Sequence, residues 1–174
     1  MIFVTIGTTE PFDRLLRALE PLSDEELIVQ CGNSTVRPAH ATCVDYVRYD
    51  ELAAYIRAAR VVIAHAGVGT ILVALSAGKR PIVVPRRAAF AEAVDDHQVE
   101  LARRLDALGL VTVVEDPTTL AAAVRSAKEP SALESSEPSR LVAELREFVE
   151  EHIGHGSGAS RRARRHSGDE ILPS

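Results

Sequence analysis

Residues 61–70 read VVIAHAGVGT. The first four are apolar without interruption, which is typical of a strand buried on both faces of a parallel sheet. Two glycines and a threonine follow where a helix is expected to begin, and Gly78 is placed to end that helix after Ala77. A buried strand that turns directly into a helix is the repeating unit of parallel α/β proteins, so this segment predicts that class.

The same unit recurs on both sides of this segment. Short β-branched runs predict further strands at 2–6, 27–30, 43–47, 82–84 and 111–114. Helical periodicity predicts helices between Pro11 and Pro21, from a cap at Asp50, between Asp95 and Leu108, and from Asp116 onward. We therefore predict one Rossmann-like open parallel sheet within residues 1–127, with helices on both faces.

Residues 128–174 do not continue the alternation of strands and helices. Residues 128–138 are rich in Ser, Glu and Pro and predict a linker, and residues 139–153 carry an apolar period that predicts a C-terminal helix. Residues 154–174 hold four arginines among Gly and Ser and predict a disordered basic tail. That tail fits a solvated segment or one that touches anionic lipid.

Composition limits the classes of function. The 174 residues carry a net charge of −5 and only 4% aromatic residues, which argues against nucleic-acid binding. Cys31 and Cys43 are too few for a disulfide framework or a structural zinc site, so both are expected to be reduced. The apolar run at the start lacks a basic leader and stops after six residues. We therefore expect a cytoplasmic protein.

Three loops are expected to follow strands at the carboxyl edge of the sheet, where parallel α/β proteins bind ligands. They comprise residues 7–10, 65–70 and 86–98. In the second loop, Gly67 and Gly69 allow a close backbone approach or a positive φ, and Thr70 lies near free helix amides that attract an anion such as phosphate. A tight strand-to-helix turn is the simpler alternative.

The same glycines also begin a dinucleotide fingerprint. Arg86 and Arg87 would then meet the 2′-phosphate of NADP. Two features depart from the fingerprint: Leu72 stands where the third glycine is expected, and the motif follows the fourth strand instead of the first.

In the third loop, Asp95, Asp96, His97 and Gln98 offer donors and acceptors for sugar hydroxyls, or Asp95 or Asp96 is simply a helix cap. A metal site is not expected, because three adjacent residues cannot all face one ion.

Three segments in order carry a resemblance: His65-Ala-Gly-Val-Gly-Thr-Ile-Leu, Gly78-Lys-Arg-Pro-Ile-Val-Val-Pro-Arg86, and Asp96-His-Gln-x-Glu-Leu-Ala102. They resemble the donor-binding C-terminal half of GT-B glycosyltransferases of the family 28 type. With the opening Phe3-Val-Thr-Ile-Gly-Thr-Thr9, the chain is similar to the small soluble subunit of two-component transferases, such as the one that extends lipid-linked N-glycan precursors and its bacterial exopolysaccharide counterparts.

The resemblance implies a UDP-sugar donor, inversion at the anomeric carbon, no metal or other cofactor, and a polyprenyl-diphosphate-linked acceptor in polysaccharide synthesis. It also implies a membrane-associated partner that carries the acceptor half and recruits the chain to the inner face of the membrane. The donor sugar (glucose, galactose, N-acetylglucosamine or glucuronic acid) stays open, as does homodimerisation of the isolated chain. A non-catalytic nucleotide-sugar-binding or regulatory protein is the alternative.

Carried onto this chain, the resemblance assigns the diphosphate to Gly67, Gly69 and Thr70, with Gly7 and Thr8 on its other side. Asp96 and Gln98 would contact the sugar, and Arg86 or Arg87 would pair with a donor carboxylate or the pyrophosphate, or remain solvated. Val73 stands where relatives bind ribose through Glu. His65 is the one candidate in this chain for the general base that deprotonates the acceptor hydroxyl group. We expect that base to come from the partner instead. The full predicted donor site is Gly7, Thr8, Thr9, His65, Gly67, Val68, Gly69, Thr70, Arg86, Asp96, His97 and Gln98.

Overall fold

The computed structural model describes residues 1–127, which form a six-stranded sheet in which every strand pair is parallel. The strands in chain order are β1 (Ile2–Thr5), β2 (Leu27–Gln30), β3 (Thr42–Val44), β4 (Val61–His65), β5 (Ile82–Val84) and β6 (Thr112–Val113). Their order across the sheet is β3-β2-β1-β4-β5-β6. This is the order of Rossmann-type sheets, and it confirms the predicted fold class.

Within the described part of the chain, five α-helices connect or follow these strands. They are α1 (Asp13–Arg17), α2 (Tyr49–Ala58), α3 (Val68–Ser76), α4 (His97–Ala107) and α5 (Leu120–Ser126). Short 3-10 helices lie at Glu20–Leu22, Ala88–Phe90 and Pro117–Thr119. None of the helices within residues 1–127 is long and apolar enough to cross a bilayer.

Alternate side chains of the central strands divide the helices between the two faces. Val4 and Ile63 pack with Leu15 of α1 and Leu120 of α5. On the opposite face, Phe3 and Val62 pack with Ile56 of α2 and Ala74 of α3, and Val83 packs with Leu101 of α4. A sheet covered in this way is buried on both sides, which explains the uninterrupted apolar run at residues 61–64.

Several predicted boundaries are wrong by a few residues. β3 ends at Val44 although the apolar pattern continues, because Val47 turns into the core beside α2. α1 ends at Arg17, and Pro21 lies inside the following 3-10 helix instead of closing α1. Asp50 is not the cap of α2: the cap is Arg48, two residues earlier, and Glu51 Oε2 accepts a hydrogen bond from the Arg48 amide at 2.9 Å.

Other local predictions are confirmed. Gly78 follows the last turn of α3 with φ +70°, and Asp116 accepts a hydrogen bond from the Thr118 amide where the last described helical segment begins. That both cysteines are reduced stays a prediction; burial raises the pKa of the Cys31 thiol to about 11. The predicted linker, C-terminal helix and basic tail lie outside the described residues.

Candidate functional site

The sheet contains a topological switch point between β1 and β4. These strands are neighbours, with Thr5 opposite Ala64, but the chain leaves β1 toward α1 and leaves β4 toward α3 on the other face. The two loops therefore separate and open a crevice beyond the carboxyl ends of the strands. Open α/β sheets bind ligands in this crevice.

The N-terminus of α3 supplies the donors of this crevice. The first amide that bonds into the helix is that of Ile71, which donates to Gly67 O at 3.1 Å. The amides of Val68, Gly69 and Thr70 have no acceptor within residues 1–127, as expected for the first turn of a helix. Gly69 is exposed and Thr70 is half-buried. Free amides together with the positive end of a helix dipole are the features with which helix N-termini attract anions.

Gly67 is required for packing and not for a special backbone conformation. Its φ is −81°, and Gly69 lies inside the helix, so the positive φ suggested for this pair is wrong. A Cβ on Gly67 would lie 2.2 Å from Nε2 of His65, whereas a Cβ on Gly69 would meet no atom within 4 Å. The two glycines therefore have different roles: Gly67 makes room for the imidazole, and Gly69 leaves the space before the helix open.

Gly7 closes the other side of the crevice. It has φ +80°, which favours glycine, and a Cβ there would lie 3.1 Å from Cε1 of His65. The His65 ring thus lies between the loop after β1 and the loop after β4. Thr8 and Thr9 follow Gly7 and are exposed.

His65 is neutral at physiological pH in this environment. Burial is the largest cause that lowers its pKa, and the positive charge of Arg86 lowers it further, to about 4. A neutral imidazole donates through one nitrogen and accepts through the other. A base with this pKa would be a weak acceptor of protons from a hydroxyl group near neutral pH.

Arg86 directs its guanidinium into the protein. It is 6% exposed, and its Nη2 donates to Ile6 O at 2.7 Å and to Glu10 O at 2.6 Å. The guanidinium carbon lies 5.1 Å from the centre of the Phe12 ring. Of the alternatives left open for Arg86, the solvated one is therefore wrong. Its predicted contact with the donor stays a prediction, because the bonds that the structure records go to the loop after β1.

Arg87 is also bonded within the protein: its side chain pairs with Glu115, and its amide donates to Glu92 Oε2 at 3.2 Å.

The predicted sugar-binding residues are only partly brought to the crevice. Gln98 Oε1 accepts a hydrogen bond from the Arg86 amide at 3.2 Å, so Gln98 joins the network that holds the first loop. Asp96 occupies the residue before α4, but its carboxylate accepts from the Ala88 amide at 2.9 Å and does not cap the helix. His97 is exposed beside Asp95, with 3.5 Å between Nε2 and Oδ2.

A separate cavity of about 570 Å³ lies along the start of α4. Asp96 and His97 line it together with Arg103 and Arg104, whereas the residues of loops 7–10 and 65–70 do not. Asp96 and His97 thus line a cavity to which the loops of residues 7–10 and 65–70 do not contribute. Within residues 1–127, no group of three or more His, Cys, Asp or Glu side chains is arranged to hold a metal ion.

Tyr46, Tyr49 and Phe90 are exposed aromatics within residues 1–127, and none of them was singled out from the sequence. A Cβ on Gly32 would lie 2.5 Å from Gly7 O, and the Gly32 amide donates to Asp45 O at 3.1 Å. Tyr46 comes next in the chain and is 67% exposed. Its place two residues after the end of β3, at the same edge of the sheet as the crevice, is the signal that could have identified it.

Comparison with known proteins decides the family. The model of the glycosyltransferase family 28 C-terminal domain matches residues 1–152. The chain belongs to this family. Its relatives include the UDP-N-acetylglucosamine transferase subunit ALG13 of Homo sapiens, 37% identical over 118 residues that cover 60% of this chain and 10% of the relative. The subunit of the same name in Yarrowia lipolytica is 31% identical over 123 residues, which cover 60% of both chains.

The fold of this family 28 domain is shared with larger glycosyltransferases. The crystal structure of the glycosyltransferase SnogD from Streptomyces nogalater aligns with a TM-score of 0.57 and 22% sequence identity. The alignment covers 84% of this chain but 43% of SnogD. The chain therefore corresponds to one Rossmann-like half of a GT-B fold.

Proposed function

We propose that this family 28 domain is the UDP-sugar-binding subunit of an inverting, metal-independent glycosyltransferase. In this proposal it acts on a polyprenyl-diphosphate-linked acceptor in polysaccharide synthesis, together with a membrane-associated partner subunit. It works in the cytoplasm and is recruited to the inner face of the membrane by that partner. The observation that carries the proposal is the set of free amides at the start of α3, placed at the switch point of the sheet.

The diphosphate of the donor binds to the amides of Val68, Gly69 and Thr70, and the loop that begins with Gly7 covers its other side. Negative charge builds up on the β-phosphate as the bond to the sugar breaks. Fixed amide dipoles stabilise that charge without reorganising, which is electrostatic catalysis. Because these donors already supply positive potential, the departure of UDP needs no divalent cation and no protonated side chain.

The order of the strands determines which way the donor extends across the edge of the sheet in this proposal. The diphosphate lies above β1 and β4, Tyr46 follows β3 on one side, and Gln98 is held at the end of β5 on the other side. The base of the nucleotide stacks on the exposed ring of Tyr46, since an aromatic face binds any base. The sugar then points toward Gln98, whose carbonyl is occupied by Arg86 and whose amide group is available to donate to a hydroxyl group.

The acceptor and the general base come from the partner. The chain spans only 10% of the human relative and 60% of the Yarrowia lipolytica relative, and it matches less than half of SnogD. A GT-B enzyme places its acceptor across a cleft between two Rossmann-like halves, and this chain supplies one of them. The low pKa of His65 agrees with a base outside this chain.

The proposal is tested in two steps. Calorimetry of the chain with UDP and with a panel of UDP-sugars should show binding, and UDP should raise the melting temperature whereas NADPH should not. When the chain is co-expressed with the proposed membrane-associated partner subunit, the pair should then transfer radiolabelled sugar to lipid in the presence of EDTA. Donor binding without transfer for every sugar in the panel would favour a non-catalytic nucleotide-sugar-binding protein. Stabilisation by NADPH alone would favour the dinucleotide-binding alternative.

A further inference from the structure

We infer that the side chain of Arg86 is a positioning group that holds the loop of residues 6–10 in the arrangement that binds the donor, while the backbone amide of the same residue holds Gln98. The inference rests on the proposed function, because the loop and Gln98 are assigned there to the two ends of one ligand. Arg86 itself does not touch the donor in this account. It acts through the backbone of the loop and through the side chain of Gln98.

One nitrogen atom of Arg86 ties the two ends of the loop together. Nη2 donates to Ile6 O and Glu10 O at 2.7 and 2.6 Å, so these two carbonyls meet at a single donor and the intervening residues Gly7, Thr8 and Thr9 bulge outward. Thr8 and Thr9 are exposed. Beyond this clamp, the loop is held by Asn33, whose Nδ2 donates to Thr9 O at 3.0 Å. Without Arg86 the loop loses the contact that sets the distance between its two ends, Ile6 and Glu10.

The backbone of Arg86 fixes the other end of the site. Its amide donates to Gln98 Oε1 at 3.2 Å, which determines that the nitrogen of the Gln98 side chain faces away from β5. The two interactions come from one residue at the end of β5. The position of the sugar-binding amide group is therefore set relative to the position of the diphosphate loop.

Burial and stacking keep the guanidinium in place. Arg86 is 6% exposed and packs over the ring of Phe12, which is fully buried. The planar guanidinium stacks on Phe12 while its Nη2 reaches both carbonyls, whereas lysine has no planar group and carries its ammonium on a shorter, flexible chain. Lysine at this position would keep the positive charge but would not reproduce both the stacking and the paired hydrogen bonds.

The test compares Arg86→Met and Arg86→Lys with the control variant Arg80→Met. Arg80 also donates to a backbone carbonyl, with Nε 3.0 Å from Val111 O, but it precedes β5 at the opposite edge of the sheet. Calorimetry measures the Kd of UDP and of a UDP-sugar for each variant at several salt concentrations. Arg86→Met should weaken UDP binding about tenfold or more, and Arg86→Lys should recover only part of it. Arg80→Met should bind as the unchanged protein does.

The salt dependence separates positioning from direct contact. If Arg86 only positions the loop, the slope of log Kd against log salt stays the same in Arg86→Met, because no charge contact with the ligand is lost. A reduced slope, or full recovery by Arg86→Lys, would show a direct contact and overturn the inference, as would unchanged affinity in Arg86→Met. If Arg86→Met does not fold, the affinity of Arg86→Lys for UDP decides alone. Partial loss of that affinity would support the inference, and full retention would contradict it. Failure of the unchanged protein to bind UDP would instead count against the proposed function.

Discussion

Replacing Gly69 by aspartate separates stability from binding in the proposed diphosphate site. Gly69 is the second residue of α3, it is exposed, and a Cβ there would meet no atom within 4 Å. The fold therefore accepts a side chain. Aspartate has a higher helix propensity than glycine and interacts favourably with the positive end of the helix, so Gly69→Asp should stabilise the fold by about 0.5–1 kcal/mol.

The same carboxylate should repel the donor. It would stand near the free amides of Val68 and Thr70, where the proposal places a diphosphate that carries about two negative charges. A unit charge about 5 Å from two like charges, at an effective dielectric constant between that of a protein surface and that of water, costs roughly 2–3 kcal/mol. This free energy corresponds to about 30- to 150-fold weaker binding of UDP.

Calorimetry with UDP and urea denaturation of the same samples measure both effects, and Gly69→Asn is the matched uncharged control. Asparagine should weaken binding less than aspartate, because it fills similar space without the charge. If Gly69→Asp folds and binds UDP within about threefold of the unchanged protein, no diphosphate lies on these amides. If aspartate and asparagine weaken binding equally, occupied space and not charge explains the loss.

Three further outcomes follow from the geometry of the crevice. Gly67→Ala should lower the free energy of unfolding by about 1–3 kcal/mol, since its Cβ would lie 2.2 Å from Nε2 of His65; urea denaturation measures this, and a cost no larger than that of Gly69→Ala would contradict the packing. His65 should titrate in NMR spectra with a pKa of about 4, below its ordinary value of 6.5. The stability that the neutral, buried His65 contributes is then complete above pH 6.5 and is lost as the pH falls toward 4, because the unfolded chain binds more protons in that range. Comparison with His65→Asn isolates this pH dependence of the free energy of unfolding. A measured pKa near 6.5 would be inconsistent with the buried ring. Tyr46→Ala should weaken UDP by about 5- to 150-fold through loss of stacking and leave pyrophosphate binding unchanged; an equal loss for both ligands would place the base elsewhere.

The fold was predictable because its signals are local. Uninterrupted apolar runs such as residues 61–64 can only be buried on two sides, and Gly78 ends its helix for a conformational reason that the sequence shows directly. Element boundaries were less predictable. Val47 continues the apolar pattern of β3 but is buried against α2, and no local feature distinguishes an apolar residue in a strand from one that anchors the following helix.

The site was predictable only where backbone groups form it. The free amides of α3 follow from where the helix begins, and the glycines pointed to that place. The roles of side chains depend on residues far away in the chain. Arg86 bonds to Ile6, 80 positions earlier, and Gly67 is needed for the His65 ring. A solvated arginine and a buried one have the same sequence pattern. Only the structure therefore shows that Arg86 is buried and which distant residues it contacts.

A crystal structure of the chain with UDP tests the central claim most directly. It should show oxygen atoms of the diphosphate within about 3 Å of the amide nitrogens of Gly69 and Thr70, with the uracil over Tyr46. UDP bound along α4, in the cavity beside Asp96 and His97, would contradict the account, and so would a diphosphate that contacts side chains alone and leaves the start of α3 empty.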